Sequence, residues 1–222
     1  MEEHFVKILH TEYVTHDVKR FRVEKPVGYA FEPGQATEVA INNEKWKDER
    51  RPFTFTSLNQ WDYLEFTIKI YNDHDGVTYE LGKLNAGGEL IIHDVWGTIN
   101  YKGPGAFIAG GAGITPFIAI IRDLKVKGDL PGHSLIFSNK TTSDVILDKE
   151  FTELLGNDFH KVFTREAVMS FKERYIDERY LKETIKNFDQ HFYVCGPDKF
   201  IKDICKMLEN LGAKPDALVF EK

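Results

Sequence analysis

Four short groups of residues in this sequence have the types and spacing to bind and orient flat, charged molecules. The first is Arg51-Pro52-Phe53-Thr54-Phe55-Thr56-Ser57. On a β-strand Phe53 and Phe55 face one way and Thr54 and Thr56 the other. A guanidinium, a ring and a hydroxyl this close together could hold something planar and phosphorylated, although Phe/Thr alternation also builds ordinary sheets. Pro52 has no N–H for a central ladder, so it marks a strand start or an edge. The second group is Gly76-Val77-Thr78, ahead of a short helical segment, Tyr79–Leu84. Free backbone N–H groups and a hydroxyl at a helix start can receive a phosphate; equally, they can simply cap a surface helix.

The third group is Gly110-Gly111-Ala112-Gly113-Ile114-Thr115-Pro116, between the apolar run Ala106–Ala109 and a helix reaching to about Lys127. Glycines let backbone approach a pyrophosphate, and Pro116 suits a first helical turn, where its missing N–H costs nothing. Pro116 also stands where the third glycine of a G-x-G-x-x-G fingerprint would be, so the pattern is not that fingerprint. The fourth is Cys195-Gly196-Pro197, which breaks the buried run Phe192–Cys195. No base or resolving cysteine is evident for Cys195, so it reads as a packing and polarity element rather than a nucleophile. Thr164-Arg165 and Arg174-Tyr175 add two guanidinium groups, whose planar fork suits a phosphate dianion; surface solvation is their plainer role.

These groups need two kinds of scaffold. From Phe5 to Lys102 the pattern is that of short strands: Phe5–Val14, Val18–Glu24, Gln35–Ile41, the Arg51 stretch, Tyr63–Tyr71 and Glu89–His93. In Tyr63–Tyr71 apolar residues alternate with Tyr63, Glu65, Thr67, Lys69 and Tyr71. Six short antiparallel strands predict a β-barrel, since closure removes exposed edges. From Ala106 strands and helices alternate: strands Ser134–Phe137, Lys161–Thr164, Phe192–Cys195 and Ala217–Phe220, with helices Asp148–Leu155, Ile176–Ile185 and Asp198–Leu211 between them. That alternation predicts a doubly wound parallel α/β sheet with its ligand at the carboxyl ends of the strands. The expected domains are 1–102 and 103–222.

Composition narrows the function. The formal charge of −6 on 222 residues argues against a nucleic-acid binder. Two cysteines exclude a cysteine-ligated iron–sulfur cluster or zinc ribbon within the chain and provide no disulfide framework. The eight histidines show no metal-ligand spacing, and no metal is expected. An acidic N-terminus, Met1-Glu2-Glu3, and the absence of a long apolar run predict a cytoplasmic protein with no membrane span.

The order of these motifs resembles the ferredoxin–NADP(H) reductase superfamily, most nearly its bacterial flavodoxin/ferredoxin reductases, over almost the whole chain. The resemblance implies that Arg51-Pro52-Phe53-Thr54 is the flavin motif: Arg51 on the FAD pyrophosphate, Phe53 along the flavin, and Thr54 bonded near flavin N5. It places Lys69 and Tyr71 on the ribityl and phosphate strand and makes Gly76-Val77-Thr78 a second phosphate motif. Gly111, Gly113, Thr115 and Pro116 become the pyridine-nucleotide loop, and Cys195-Gly196-Pro197 the motif beside nicotinamide C4. Thr164, Arg165, Arg174 and Tyr175 resemble the set that holds an NADPH 2′-phosphate. Ser138-Asn139-Lys140 and Asp144-Val145-Ile146-Leu147 also resemble NADH-using cytochrome reductases. Glu221 would lie near the nicotinamide, although the chain stops before the terminal aromatic that many members carry. The implied activity is hydride transfer from NADPH, or NADH, to FAD, with single electrons passed to flavodoxin or ferredoxin. Arg20, Arg22 and Lys25, or Lys45, Lys47 and Arg50, are candidate surfaces for such an acidic partner.

Overall fold

The computed structural model describes residues 2–73, 75–97, 99–166, 174–214 and 218–220. The chain groups into two compact units: residues 1–100 with 115–123, and residues 101–114 with 124–222.

The first unit holds six antiparallel strands, β1 (His4–Tyr13), β2 (Val18–Glu24), β3 (Gln35–Ile41), β4 (Arg51–Thr54), β5 (Tyr63–Lys69) and β6 (Glu89–Gly97). They pair in the order β4-β3-β6-β1-β2-β5. The period-2 pattern sends Val6, Ile8, Phe21, Val23, Leu64, Phe66 and Ile68 into one core. The expected barrel is a strongly curled sheet whose ends meet over a short seam. Phe55 bridges Phe66, and the Thr56 N–H donates to the Glu65 carbonyl at 2.8 Å. Pro52 sits on β4, an end strand of the ladder, where its missing donor is tolerated. Phe55 anchors the seam, its ring 4.2 Å from that of Phe31 and 5.3 Å from that of Phe66. Burying such a ring is worth roughly 2–3 kcal/mol.

Helix α1 (Val77–Lys83) follows β5. The buried Lys19 ammonium donates to the carbonyls of Gly82 (3.0 Å) and Leu84 (2.6 Å), tying down the C-terminal end of this helix. Helix α2 (Thr115–Lys127) is apolar in its first half, where Phe117, Ile118, Ile120 and Ile121 are buried. Its residues 115–123 group with the first unit, where Arg122 donates to the Thr56 carbonyl at 2.6 Å.

The second unit is a parallel sheet of β7 (Gly105–Gly110), β8 (Ser134–Asn139), β9 (Phe159–Phe163), β10 (His191–Cys195) and β11 (Leu218–Phe220). Its order is β11-β10-β7-β8-β9. The connecting helices are α3 (Asp148–Leu155), α4 (Glu178–Thr184) and α5 (Asp198–Asn210). The chain leaves β7 in one direction through β8 and β9, then returns to build β10 and β11 on the other side. The topological switch therefore lies between β7 and β10, and ligands of such sheets bind where those strands end. At the opposite end, the Tyr193 hydroxyl accepts from the Lys102 and Gly103 amides and donates to the Gly103 carbonyl at 2.7 Å. His133 stacks there on Phe107, accepts from the Tyr101 hydroxyl through Nε2 (2.9 Å) and donates through Nδ1 to the Leu130 carbonyl (3.0 Å).

Candidate functional site

In the first unit four of the expected residues, Arg51, Pro52, Phe53 and Thr54, make up β4. Arg51 opens the strand and stays half exposed, its guanidinium steadied by the Arg50 carbonyl (2.6 Å) and the Glu49 carboxylate (3.3 Å). Pro52 is exposed, while Phe53 is half-buried and packs against the barrel core. The three hydroxyls that follow separate by function. Thr56 is buried and donates to the Glu65 carboxylate (3.1 Å). Ser57 is buried and accepts the Glu65 amide (3.0 Å). Thr54 is half-buried, and its hydroxyl has no hydrogen-bond partner among the described residues.

Lys69 ends β5 and pairs with Asp17 at 2.8 Å; Tyr71, two residues on, is exposed. Gly76 is the N-cap of α1 in an extended conformation, with no side chain capping the helix. Val77 is buried and Thr78 half-buried in its first turn. The first-turn N–H groups thus lack the side-chain acceptor that usually satisfies one of them.

In the second unit the glycine turn and the Cys-Gly-Pro turn interlock. Gly111 has φ +54°, a left-handed conformation that glycine adopts without cost. A Cβ on Gly113 would lie 2.5 Å from the carbonyl carbon and oxygen of Cys195 and from the Gly196 nitrogen. Only a glycine permits the two turns to approach this closely. Cys195 is buried and ends β10 directly beside Ala109 of β7. Pro197 is the N-cap of α5. Thr115 and Pro116 form the first turn of α2, and the Thr115 hydroxyl has no hydrogen-bond partner among the described residues.

Backbone bonds seat the segments that carry Arg165 and Arg174. The Thr164 and Arg165 amides donate to the Asn139 and Lys140 carbonyls (2.9 Å each), and the Arg174 amide to the Phe163 carbonyl (2.8 Å). Arg165 is exposed and has no ion pair among the described residues. Arg174 is engaged: it pairs with Glu183 at 2.7 Å and lies over the Tyr180 ring at 4.5 Å. Arg174 and Arg179 together hold the Glu183 carboxyl below its usual range. Tyr175 is exposed. Glu221 lies outside the described residues.

Comparison with known proteins follows the same division. Residues 107–206 match the oxidoreductase NAD-binding domain family. A ferredoxin NADP+ reductase from Neisseria gonorrhoeae, solved with FAD and NADP, superposes with a TM-score of 0.81 at 20% identity, over 96% of this chain and 92% of that one. The FAD/NAD-binding domain of a Vibrio cholerae nitric oxide dioxygenase gives 0.86 at 19% identity, over 98% and 97%. The chain shares the two-unit fold of these two proteins. NADH-cytochrome b5 reductase 2 of Aspergillus niger is 28% identical over 90% of this chain. The ferredoxin–NAD(P)+ reductase component of the Pseudomonas putida naphthalene 1,2-dioxygenase system is 22% identical over 94%. This chain spans 67% and 65% of their respective lengths.

Superfamily motifs did not point to two features of the site. Glu65 and Arg122 form a buried ion pair at 2.8 Å behind Thr56. In sequence, Glu65 looks like one more solvent-facing residue of an alternating strand; the one signal was a lone arginine within the apolar run of α2. Asn139 is buried at the end of β8, and neither side-chain amide atom has a hydrogen-bond partner among the described residues. The candidate docking cations are largely balanced. Arg20 pairs with Glu12, Arg22 with Glu65 (3.2 Å), Lys45 with Asp75 (3.5 Å) and Arg50 with Glu3 (3.0 Å). No described helix is long and apolar enough to cross a membrane.

Proposed function

We propose that this chain is an FAD-containing oxidoreductase that takes hydride from NADPH and passes electrons singly to flavodoxin or ferredoxin, with FAD on residues 1–102 and the pyridine nucleotide on residues 103–222. The observation that carries the flavin reading is the Thr54 hydroxyl, half-buried on the Arg51 strand and without a hydrogen-bond partner among the described residues.

The donor set fits FAD. Arg51 offers a half-exposed guanidinium, and α1 offers uncapped N–H groups together with Thr78, which suits a pyrophosphate. Lys69 ends β5, and Tyr71 follows two residues on. When bound, FAD supplies the conversion of a two-electron donor into single electrons. Thr54 would hold the flavin through a hydrogen bond near N5. Phe53, packed on the core, fixes the height of the strand. Gly111, Gly113, Thr115 and Pro116 would receive the pyridine-nucleotide pyrophosphate, and Cys195, Gly196 and Pro197 would bound the nicotinamide; the resemblance assigns Glu221, outside the described residues, to the same ring.

With two cysteines and no cluster of its own, the chain hands its electrons to a separate carrier. NADPH is favoured by Arg165, whose guanidinium is exposed and lacks an ion pair among the described residues. A second reading, an NADH-linked reductase of a haem protein, free flavin or ferric complex, or the electron-transfer subunit of a larger enzyme, is favoured by Arg174 being taken up by Glu183. Relatives named NADH-cytochrome b5 reductase and dioxygenase reductase component support it too. Both free thiols fit a reducing, cytoplasmic setting. Steady-state assays that pair NADPH or NADH with flavodoxin, ferredoxin, cytochrome b5 and ferric citrate separate the readings. The first requires the highest kcat/KM with NADPH and flavodoxin or ferredoxin; cytochrome b5 with NADH as the best pair would replace it with the second.

A further inference from the structure

The strand that carries Thr54 is held from behind by a buried ion pair to which the proposed function gives no role. Glu65 on β5 is fully buried. Its carboxylate accepts from the Thr56 hydroxyl (3.1 Å), Arg122 Nη1 (2.8 Å) and Arg22 Nε (3.2 Å), with Arg20 Nε at 3.9 Å. Arg122 also donates to the Thr56 carbonyl at 2.6 Å and lies 5.4 Å from the centre of the Trp61 ring. The Glu65 amide donates to Ser57 Oγ (3.0 Å), and the Thr56 and Thr67 hydroxyls are 3.2 Å apart. Residues 56 and 57 are therefore fixed through both main chain and side chains.

Thr54 closes β4 two residues before Thr56, which lies just past the end of the strand, at most roughly 7 Å along the chain. A well-packed apolar pair would be as stable as a buried ion pair, or more so, so stability alone does not account for this one. Geometry offers a reason. One guanidinium nitrogen ties together the strand carbonyl and the carboxylate that also holds the strand hydroxyl, so the twist of the segment after Thr54 is set by a rigid fork. Charge offers another. Glu65 and Glu12 face Arg20, Arg22 and Arg122, a local excess of one positive charge beside the strand that would meet the flavin.

We propose that Glu65 and Arg122 are positioning residues for Thr54, and that their charges bias the reduction potential of the bound flavin in opposite senses. The proposal rests on the reading that Thr54 meets the flavin. Glu65→Gln removes a negative charge and stabilises the reduced, more negative flavin, so it raises the potential; Arg122→Gln lowers it. Loss of structure alone would move both in the same direction.

The test measures FAD affinity, flavin potential by spectroelectrochemistry, and kcat and KM for the pyridine nucleotide in wild type and both variants. Amide hydrogen exchange at residues 55–57 is followed in the apo chains. The expected result is opposite shifts in potential, about a tenfold fall in kcat with KM within twofold, and faster exchange at residues 55–57. Because removing one partner strands a buried charge, the double variant Glu65→Leu/Arg122→Met, which replaces the pair with apolar groups, is measured as well. It folds, and the proposal requires its kcat to stay low while its potential returns towards wild type. Wild-type kcat and exchange in the double variant, or potentials that move together or not at all while FAD still binds, overturn the proposal and leave the flavin reading standing. A wild-type chain that takes up no FAD overturns the flavin reading and this proposal with it.

Discussion

Gly113 and Cys195 stand so close that a single added carbon on the first would sit 2.5 Å from the backbone of the second, nearer than the 3.0 Å that real Cβ atoms respect. The neighbouring atoms are main chain, so no side chain can swing aside. Gly113→Ala therefore drives the glycine turn and the Cys-Gly-Pro turn apart. Overpacking of this kind costs about 1–3 kcal/mol. Denaturant unfolding should show that loss, and KM for the pyridine nucleotide should rise several-fold while FAD affinity holds.

Thr54 is the hydroxyl of its stretch that is available to a ligand, because Thr56 and Ser57 are spent on Glu65. Thr54→Ala removes a hydrogen bond to a group whose charge changes, worth about 2 kcal/mol, or ~30-fold in the rate of flavin reduction. Thr54→Ser should recover most of that rate, and Ser57→Ala should lower stability more than rate. Single-turnover stopped flow separates the three.

In the proposed reading, Arg165 and Arg174 contribute unequally to cofactor choice. Arg165 has no ion pair among the described residues, whereas Arg174 is held by Glu183 and Tyr180. Arg165→Ala should raise KM for NADPH about tenfold or more, as expected for a lost charge-assisted bond of roughly 1.5–3 kcal/mol, and leave NADH unchanged. Equal effects on both nucleotides would remove the 2′-phosphate role.

Much of this was legible before any coordinates. Clean alternation in Val18–Glu24 and Tyr63–Lys69 and the all-apolar run of β7 left little freedom in period or burial. Strand ends were harder. β6 runs on to Gly97 because its partner β3 shifts register between Thr37 and Val39, a local irregularity without a compositional mark. α1 starts at Val77 rather than Tyr79, since Gly76 serves as an extended N-cap without a side-chain bond to announce it. Glu65 was hidden for another reason. A carboxylate in an alternating strand reads as solvent-facing until a helix distant in sequence, carrying Arg122, covers it. Long-range pairing of this kind has no local periodicity.

Burial of His133 beneath Phe107 and Tyr101 gives the second unit a pH dependence. Desolvation pushes its pKa below the ordinary value of 6.5, and Nδ1 and Nε2 are both engaged in the neutral form. Between the unfolded and folded pKa values the unfolded chain binds the extra proton, so stability is present in full above about pH 6.5 and declines as pH falls. His160 shifts in the same direction through burial. Thermal melts from pH 8 to pH 5 should show Tm falling below pH 6.5, with a shallower fall in His133→Gln. A Tm that rises on acidification would contradict the assignment.

The central claim is that Arg51, Thr54 and the uncapped end of α1 hold a flavin that a pyridine nucleotide reduces. The direct measurement is anaerobic stopped flow on the full chain after loading with FAD, following flavin absorbance on mixing with NADPH or NADH. The account predicts a yellow protein with one FAD per chain that bleaches on mixing, faster with NADPH, and more slowly in Thr54→Ala. A chain that remains colourless after loading, or a bound flavin that neither nucleotide bleaches, would contradict it.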